Sequence, residues 1–301
     1  MSPSVPGGPA AGTSGRVLVV GAGLMGSGIA AQCALAGYPV TLEDVSEEFV
    51  TRGLDRVRRA LDHAVERKEI DAAQRDAATA RIAPAVGLAS AGDAAMVVEA
   101  APEELALKQR LFAELERVTP PAAVLASNTS SLPIAAIGRD LRQPARLVGL
   151  HFFNPVLQMP LVELIVGPRS DPEVVRHADR FAASLGKTVV RSADSPGFVT
   201  SRALAVLVNE AARMLEANVA GRDDIDAAYR LGFHHPMGPF ELVDLVGIDT
   251  TVAILDILHD GLNDERYRAS ALLRAKVAEG KLGRKSGEGF YVYPSRGAKA
   301  R

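Results

Sequence analysis

The sequence predicts an α/β protein, with a doubly wound sheet over the first two-thirds of the chain and an all-α domain after it. Two observations carry this. From residue 16 to about 190, short β-branched and aliphatic runs alternate with helix-period segments, the pattern of βαβ units. From Phe198 onward the period is helical, with no further βα alternation until the short tail. The change falls at Asp194-Ser195-Pro196-Gly197, so a boundary is expected near residue 193, between a domain of 16–193 and one of 194–301. A chain of 301 residues suits two domains.

The first element is Val17-Leu18-Val19-Val20, four apolar, β-prone residues, followed by Gly21-Ala22-Gly23-Leu24-Met25-Gly26-Ser27-Gly28-Ile29-Ala30. Glycines 21, 23 and 26 fit G-x-G-x-x-G. The first permits a tight turn, the second lets a pyrophosphate approach the backbone, and the third lets helix pack closely on strand. The helix that opens at Leu24 and Met25 offers N–H groups and a partial positive charge to phosphates. It ends before Gly37, a C′ glycine. A second strand, Tyr38 to Asp44, ends in carboxylates. Asp44 is placed to accept hydrogen bonds from the adenosine ribose. A carboxylate there repels a 2′-phosphate and no arginine follows it, so NAD is expected rather than NADP. The first domain therefore reads as Rossmann-type.

Ser46 is the next N-cap, with Glu47 and Glu48 in the first turn of a charged helix reaching about Ile70. Asp71 caps a second helix to about Ala80. This hairpin carries Arg52, Arg56, Arg58, Arg59, Arg67 and Lys68. It reads either as a solvated pair of helices or as a face turned to an anionic substrate carrier. The α/β pattern resumes with the strand Ala95–Ala100 and a helix over 103–117. The strand Ala123–Ala126 leads into Ser127-Asn128-Thr129-Ser130-Ser131, and Leu147–Leu150 leads into His151-Phe152-Phe153-Asn154-Pro155. Leu161–Val166 follows, then a helix with Val174, Ala178, Phe181 and Leu185 at helical spacing, and the strand Thr188–Val190 closes the unit. In the helical domain, Leu204, Leu207, Val208, Ala211 and Leu215 form a wide apolar stripe. It suits a dimer interface or the domain's own core.

A net charge of −2 gives no reason to expect nucleic acid or an anionic membrane as partner, and no apolar run reaches membrane-spanning length. The lone Cys33 forms no internal disulfide, which suits a reducing interior. Residues 1–15 lack the basic start and apolar core of a signal peptide and read as a disordered tail, so a cytoplasmic location is expected.

Ligands bind at the C-terminal ends of the strands of such a sheet. Ser130 follows one strand, His151 the next, and Glu163 lies in or just after another. Oxidation of an alcohol by hydride loss needs a base for the hydroxyl proton, and a neutral imidazole near pH 7 serves in both directions. Glu163 would fix its tautomer and stabilise the imidazolium. The Ser130 hydroxyl would donate to the carbonyl oxygen. The other histidines show no ligand spacing, so no metal site is expected.

These residues resemble the 3-hydroxyacyl-CoA dehydrogenases, especially the short bacterial 3-hydroxybutyryl-CoA type, over about residues 16–294. The markers are the glycine turn, Ser127-Asn128-Thr129-Ser130-Ser131-Leu132 and His151-Phe152-Phe153-Asn154-Pro155. His235-Pro236-Met237-Gly238-Pro239-Phe240-Glu241-Leu242 and Gly283-Arg284-Lys285-Ser286-Gly287-Glu288-Gly289-Phe290-Tyr291 complete the set. The resemblance implies NAD-dependent oxidation of an L-3-hydroxyacyl-CoA to the 3-oxoacyl-CoA, and the reverse. It implies His151 as acid/base, Glu163 as its partner and Ser130 as donor to the substrate oxygen. Asp44, Glu103, Lys108 and Asn128 fall on cofactor-contact positions, Asn154, Ser201 and Arg67 on the substrate side. A helical domain that dimerises is also implied. Related readings are a dehydrogenase of a free hydroxy acid (the L-gulonate 3-dehydrogenase or lambda-crystallin type), one acting on a carrier-protein thioester, and a non-catalytic nucleotide-binding protein.

Two positions depart from the family pattern. Ser201 stands where Pro-Gly-Phe-x-x-Asn-Arg has Asn, and serine is shorter with fewer hydrogen bonds to offer. Ala60 replaces a serine that some relatives use at the CoA moiety, while Arg67 keeps a basic residue at a lysine position. Ser201→Asn is expected to raise activity on acetoacetyl-CoA. An unchanged or lower kcat/KM would show that Ser201 is tuned to another acyl group.

Overall fold

The computed structural model describes residues 15–293. Of the tail expected over 1–15, all but Gly15 lies outside the described residues. The chain divides into two compact units after Ser195.

The first unit runs β1 (Arg16–Val20), α1 (Leu24–Leu35), β2 (Val40–Asp44), α2 (Glu47–Glu66), α3 (Ala72–Ala80), β3 (Ile82–Val86) and β4 (Ala94–Glu99). It continues with α4 (Leu105–Val118), β5 (Val124–Ser127), α5 (Ile134–Ile137), β6 (Leu147–Phe152), β7 (Leu161–Val166), α6 (Pro172–Ser184) and β8 (Thr188–Ala193). The strands form one sheet in the order β3-β2-β1-β4-β5-β6-β7-β8. Six run parallel, and β7 and β8 run against them, with the reversal at the β6–β7 pair. Val17, Leu18, Val19 and Val20 are all buried, the signature of a strand covered on both faces.

The outermost strand β3 was not expected from the sequence. Its residues Ile82-Ala83-Pro84-Ala85-Val86 are mostly exposed and include a proline, which donates nothing to a ladder and is tolerated at an edge. The hairpin of α2 and α3 follows its caps. Ser46 Oγ accepts from Phe49 N, and Asp71 forms a capping box with Gln74. Val50, Val57, Leu61 and Ala64 give α2 its buried face.

The glycine turn is forced by crowding. Gly21 sits at φ +98°, and a Cβ on Gly26 would lie 1.7 Å from the Gly21 carbonyl oxygen. No rotamer relieves a clash of Cβ with backbone.

The second unit holds α7 (Thr200–Glu216), α8 (Arg222–Gly232), α9 (Pro239–Val246), α10 (Ile248–Leu262) and α11 (Ala271–Ala278). Its core includes Val208, Ala211, Phe240, Val243, Leu255, Leu258 and Leu273. The apolar stripe of α7 belongs to this core: Val208 and Ala211 are buried in it, and Leu204, Leu207 and Leu215 pack against it. The motifs of this half surround two buried carboxylates. Asp226 accepts from Phe240 N, Glu241 N and the Tyr291 hydroxyl. Asp244 accepts from Phe290 N, Tyr291 N and the Tyr293 hydroxyl. A Cβ on Gly238 would strike Asp226 and one on Gly289 would strike Asp244, which explains both glycines.

Gly26→Ala is expected to destabilise the protein by about 1–3 kcal/mol, the range for overpacking a close contact. Urea unfolding of the two proteins measures it, and an unchanged midpoint would show that the turn can open.

Candidate active site

The crevice opens where the strand order turns back, outside the C-terminal ends of β1 and β4. At its β1 end the glycine turn is tied to β2. Gly21 N donates to Glu43 O, and Ala22 N donates to Asp44 Oδ2 at 2.7 Å. Asp44 Oδ1 accepts from Val45 N, so each carboxylate oxygen keeps a lone pair for a ribose hydroxyl. Arg56 of α2 and Ser27 of α1 both donate to Ala22 O, which fixes the peptide from behind. A Cβ on Gly23 would meet nothing within 4 Å, so the backbone there borders open space. Leu24 and Val45, 64% and 77% exposed, flank it as apolar surface. A turn with a bare backbone, a helix N-terminus and an acid at the end of β2 fits a dinucleotide.

At the end of β4, Glu99 is fully buried. Its Oε1 accepts from Lys108 Nζ at 2.5 Å and from Ala101 N at 2.7 Å, and its Oε2 from the Ser127 hydroxyl at 2.6 Å. Lys108, also buried, donates in addition to Ala101 O and lies 3.6 Å from the Glu103 carboxylate. It sits beneath the crevice and bears on it through Glu103 and the 99–101 backbone. Glu103 gathers the strand-end cluster, its Oε1 accepting from Thr129 Oγ1 (2.6 Å), Ser130 N (2.9 Å) and Ser131 N (3.1 Å). Burial alone would raise this carboxyl, but the Thr129 hydroxyl, the Lys108 charge and the Ser130 amide outweigh it and hold it below its ordinary range. The Ser130 hydroxyl also points to Glu103, at 3.3 Å. Asn128 Oδ1 accepts from Phe152 N and so ties the end of β5 to β6.

The antiparallel register of β6 and β7 sets His151 directly opposite Glu163. His151 Nδ1 and Glu163 Oε2 are 2.8 Å apart. Glu163 is wholly buried and His151 is 8% exposed, so the carboxylate faces the ring and the ring faces the crevice. With Nδ1 donating to Glu163, Nε2 is the acceptor nitrogen. The Phe153 ring lies against the imidazole at 4.4 Å between centroids.

A cavity of about 310 Å³ lies here, lined by Met25, Glu103, Asn128, Ser130, His151 and Asn154, with Ala100, Ala101, Phe152 and Phe153. Six residues singled out in the sequence thus share one wall. Asp44 and the glycines border the turn end, and Glu163 stands behind His151. Arg67, at the end of α2, is exposed and forks onto Glu69, with its guanidinium beside the Gln158 amide, whose oxygen faces it when the amide is turned over. Elsewhere on the hairpin Arg52 pairs with Glu48 and Arg58 with Asp55. Ser201 is buried in the first turn of α7, in the helical unit. Sequence reasoning named Lys108 and missed Glu99, the buried acid that binds it together with Ser127. Its signal was an acid closing the apolar run Met96-Val97-Val98, nine residues before a lysine. Among the described residues no group of three or more metal-ligating side chains occurs.

Glu43, 4% exposed beside Asp44, has its carboxyl raised to about 7, first by burial and then by the Asp44 charge. A raised acid binds its proton in the folded state over pH 4.5–7 while the unfolded chain releases it, so this group's contribution falls as pH rises through that window. Glu43→Gln is therefore expected to be more stable than the parent at pH 8, by about 2–3 kcal/mol, with the gap closing towards pH 4.5. Urea unfolding at both pH values decides this, and an equal gap at each would rule out the ionisation.

Comparison with known proteins agrees with this geometry. The family model described as 3-hydroxyacyl-CoA dehydrogenase, NAD binding domain, matches residues 16–195, and that of the C-terminal domain matches 197–293. The chain is 43% identical over 284 residues to a 3-hydroxybutyryl-CoA dehydrogenase of Bradyrhizobium diazoefficiens, covering 94% of this chain and 96% of the relative. The crystal structure of FadB2 from M. tuberculosis matches with a TM-score of 0.91 at 43% identity, over 93% of this chain and 99% of that one. That of (S)-3-hydroxybutyryl-CoA dehydrogenase from Ralstonia eutropha matches with a TM-score of 0.90 at 36% identity, again over 93% and 99%. An eight-stranded sheet with its glycine turn, a helical second unit and the His151–Glu163 pair thus stand in a chain that belongs to the 3-hydroxyacyl-CoA dehydrogenase family.

Proposed function

We propose that the protein interconverts an L-3-hydroxyacyl-CoA, of the 3-hydroxybutyryl type, and the 3-oxoacyl-CoA with NAD. The observation that carries the reading is the His151–Glu163 pair, 2.8 Å apart at the wall of a cavity that Ser130 and Asn128 also line. NAD, held by the glycine turn and Asp44, supplies the hydride acceptor in oxidation and the donor in the reverse. His151 Nε2 takes the proton of the C3 hydroxyl as the carbonyl forms, and returns it in reduction. Glu163 keeps Nδ1 protonated and stabilises the imidazolium that results. The Ser130 hydroxyl swings from Glu103 to the substrate oxygen and polarises it. Asn128, anchored to β6 through Phe152 N, keeps the strand-end cluster at a set distance from the imidazole.

The lining favours a thioester over a free hydroxy acid. No lysine or arginine is among the described residues lining the cavity, and Glu103 contributes a negative charge. A substrate carboxylate would be repelled there, whereas an uncharged acyl thioester would not. Arg67 remains the basic residue for the CoA phosphates, outside the cavity and partly neutralised by Glu69. The reading extends to a cytoplasmic homodimer. Exposed Val206, Val219, Leu231 and Phe233 on the helical unit support association, and the single buried Cys33 suits a reducing compartment. Among the described residues no helix is long and apolar enough to cross a membrane.

The test is NADH oxidation with acetoacetyl-CoA, beside free acetoacetate, and NAD reduction with L-gulonate. Turnover with the thioester alone is expected, and turnover with a free acid instead would move the protein to that class. His151→Gln should lower kcat by about 10³-fold or more while NADH binding persists. Retained turnover would remove His151 as the base.

A further inference from the structure

Lys187 is a buried cation that the proposed mechanism does not use. Only 8% of it is exposed, and its Nζ donates to Val156 O at 2.6 Å and Met159 O at 3.0 Å. Among the described residues no carboxylate lies within ion-pair distance of it. Those two carbonyls belong to residues 153–160, the connection from β6 to β7. The His151 and Glu163 strands are the two that this connection joins. Val156 closes the other side of the connection against α1, where a Cβ on Gly28 would lie 2.8 Å from a Val156 methyl. Thr188 N, next to Lys187, donates to Pro160 O at 2.6 Å and ties the far end of the connection to β8. The segment is therefore held between a helix without charge and one ammonium.

Burying an ammonium without a counterion costs several kcal/mol, and two carbonyls offset part of it. A neutral side chain of equal length would fill the same space at lower cost. What it would not do is draw two carbonyls three residues apart onto one point.

We propose that Lys187 is a positioning residue for the dehydrogenase reaction. It fixes the β6–β7 connection, which carries Phe153 and Asn154 into the cavity beside the His151–Glu163 pair that the strand ladder holds. Burial pushes the Lys187 ammonium down to about 8. The neighbouring elements supply little to counter this. The thiol of Cys33, itself raised by burial, is the one ionisable group of α1, and residues 153–160 carry none. Glu163, the one on β7, is bonded to His151. Arg191 on β8 pairs with Asp179 of α6, and Glu173 of α6 pairs with Arg176. The grip on the connection should thus loosen as pH rises through about 8.

The inference rests on the activity proposed above, so the experiment has one arm that needs it and one that does not. In the first, Lys187→Met should lower kcat with acetoacetyl-CoA by about 10- to 100-fold, the effect of displacing reacting groups from a distance. NADH affinity should be unchanged, and Lys187→Arg, which can still donate to both carbonyls, should recover most of the loss. Full activity in Lys187→Met, or a parallel loss of NADH binding and kcat, would overturn the proposal. In the second arm, hydrogen exchange is followed in the parent protein from pH 7 to 9. The amides of Gln158 and Met159, both bonded to Pro155 O, should lose protection beyond the intrinsic pH effect, while those of β1 keep theirs. Equal behaviour of the two sets would overturn it even if Lys187→Met does not fold. No turnover by the parent, with the exchange result as expected, would instead refute the activity and leave the anchoring intact.

Discussion

The reversal of strand direction between β6 and β7 is the constraint on which the site depends. Six parallel strands deliver their C-terminal ends to one edge of the sheet, and that edge is the crevice. A seventh parallel strand would have brought only one more chain end there. Because β7 runs the other way, Glu163 lies beside His151 in register, and a 2.8 Å hydrogen bond forms between neighbours in one sheet. The partner of the imidazole is therefore held by backbone pairing. Its position is set by a ladder of hydrogen bonds, which moves less than a loop would.

Three other buried acids are fixed by dense hydrogen bonding as well. Glu99, Asp226 and Asp244 are almost wholly removed from water, and each accepts from three backbone, hydroxyl or ammonium donors. An isolated buried carboxylate would cost several kcal/mol, whereas one with its lone pairs filled acts as a node joining distant segments. Glu99 joins β4 to β5 and α4, below the floor of the cavity. Asp226 and Asp244 join the two sequence motifs of the helical unit to its core, which accounts for glycine at 238 and 289 by simple lack of room.

Much of this was legible in the chain. The glycine turn, the acid ending β2, the serine after β5 and the histidine near the end of β6 are local patterns, and each is governed by neighbours in sequence. Three features were not legible. The edge strand β3 contains Pro84 and exposed alanines, so neither its period nor its propensity marks it, and only pairing with β2 makes it a strand. The stripe on α7 was open to an interface or a core until α9, α10 and α11 supplied its partners. No motif or period marks Lys187, and its burial under residues 153–160 follows from how β8 meets the β6–β7 connection.

By itself, then, the sequence determined the class of fold, the glycine turn and the candidate side chains at the strand ends, because these follow from residue type and short-range spacing. Tertiary structure decided the direction of β7, and with it the pairing of His151 with Glu163 across twelve residues of chain. It also decided that Lys108 lies under the crevice, bonded to Glu99, and that Arg67 lies outside the cavity against Gln158. Those outcomes depend on which long-range contacts bury a charge and which leave it in water. That is a balance of desolvation against pairing, and it exists only once the chain has folded.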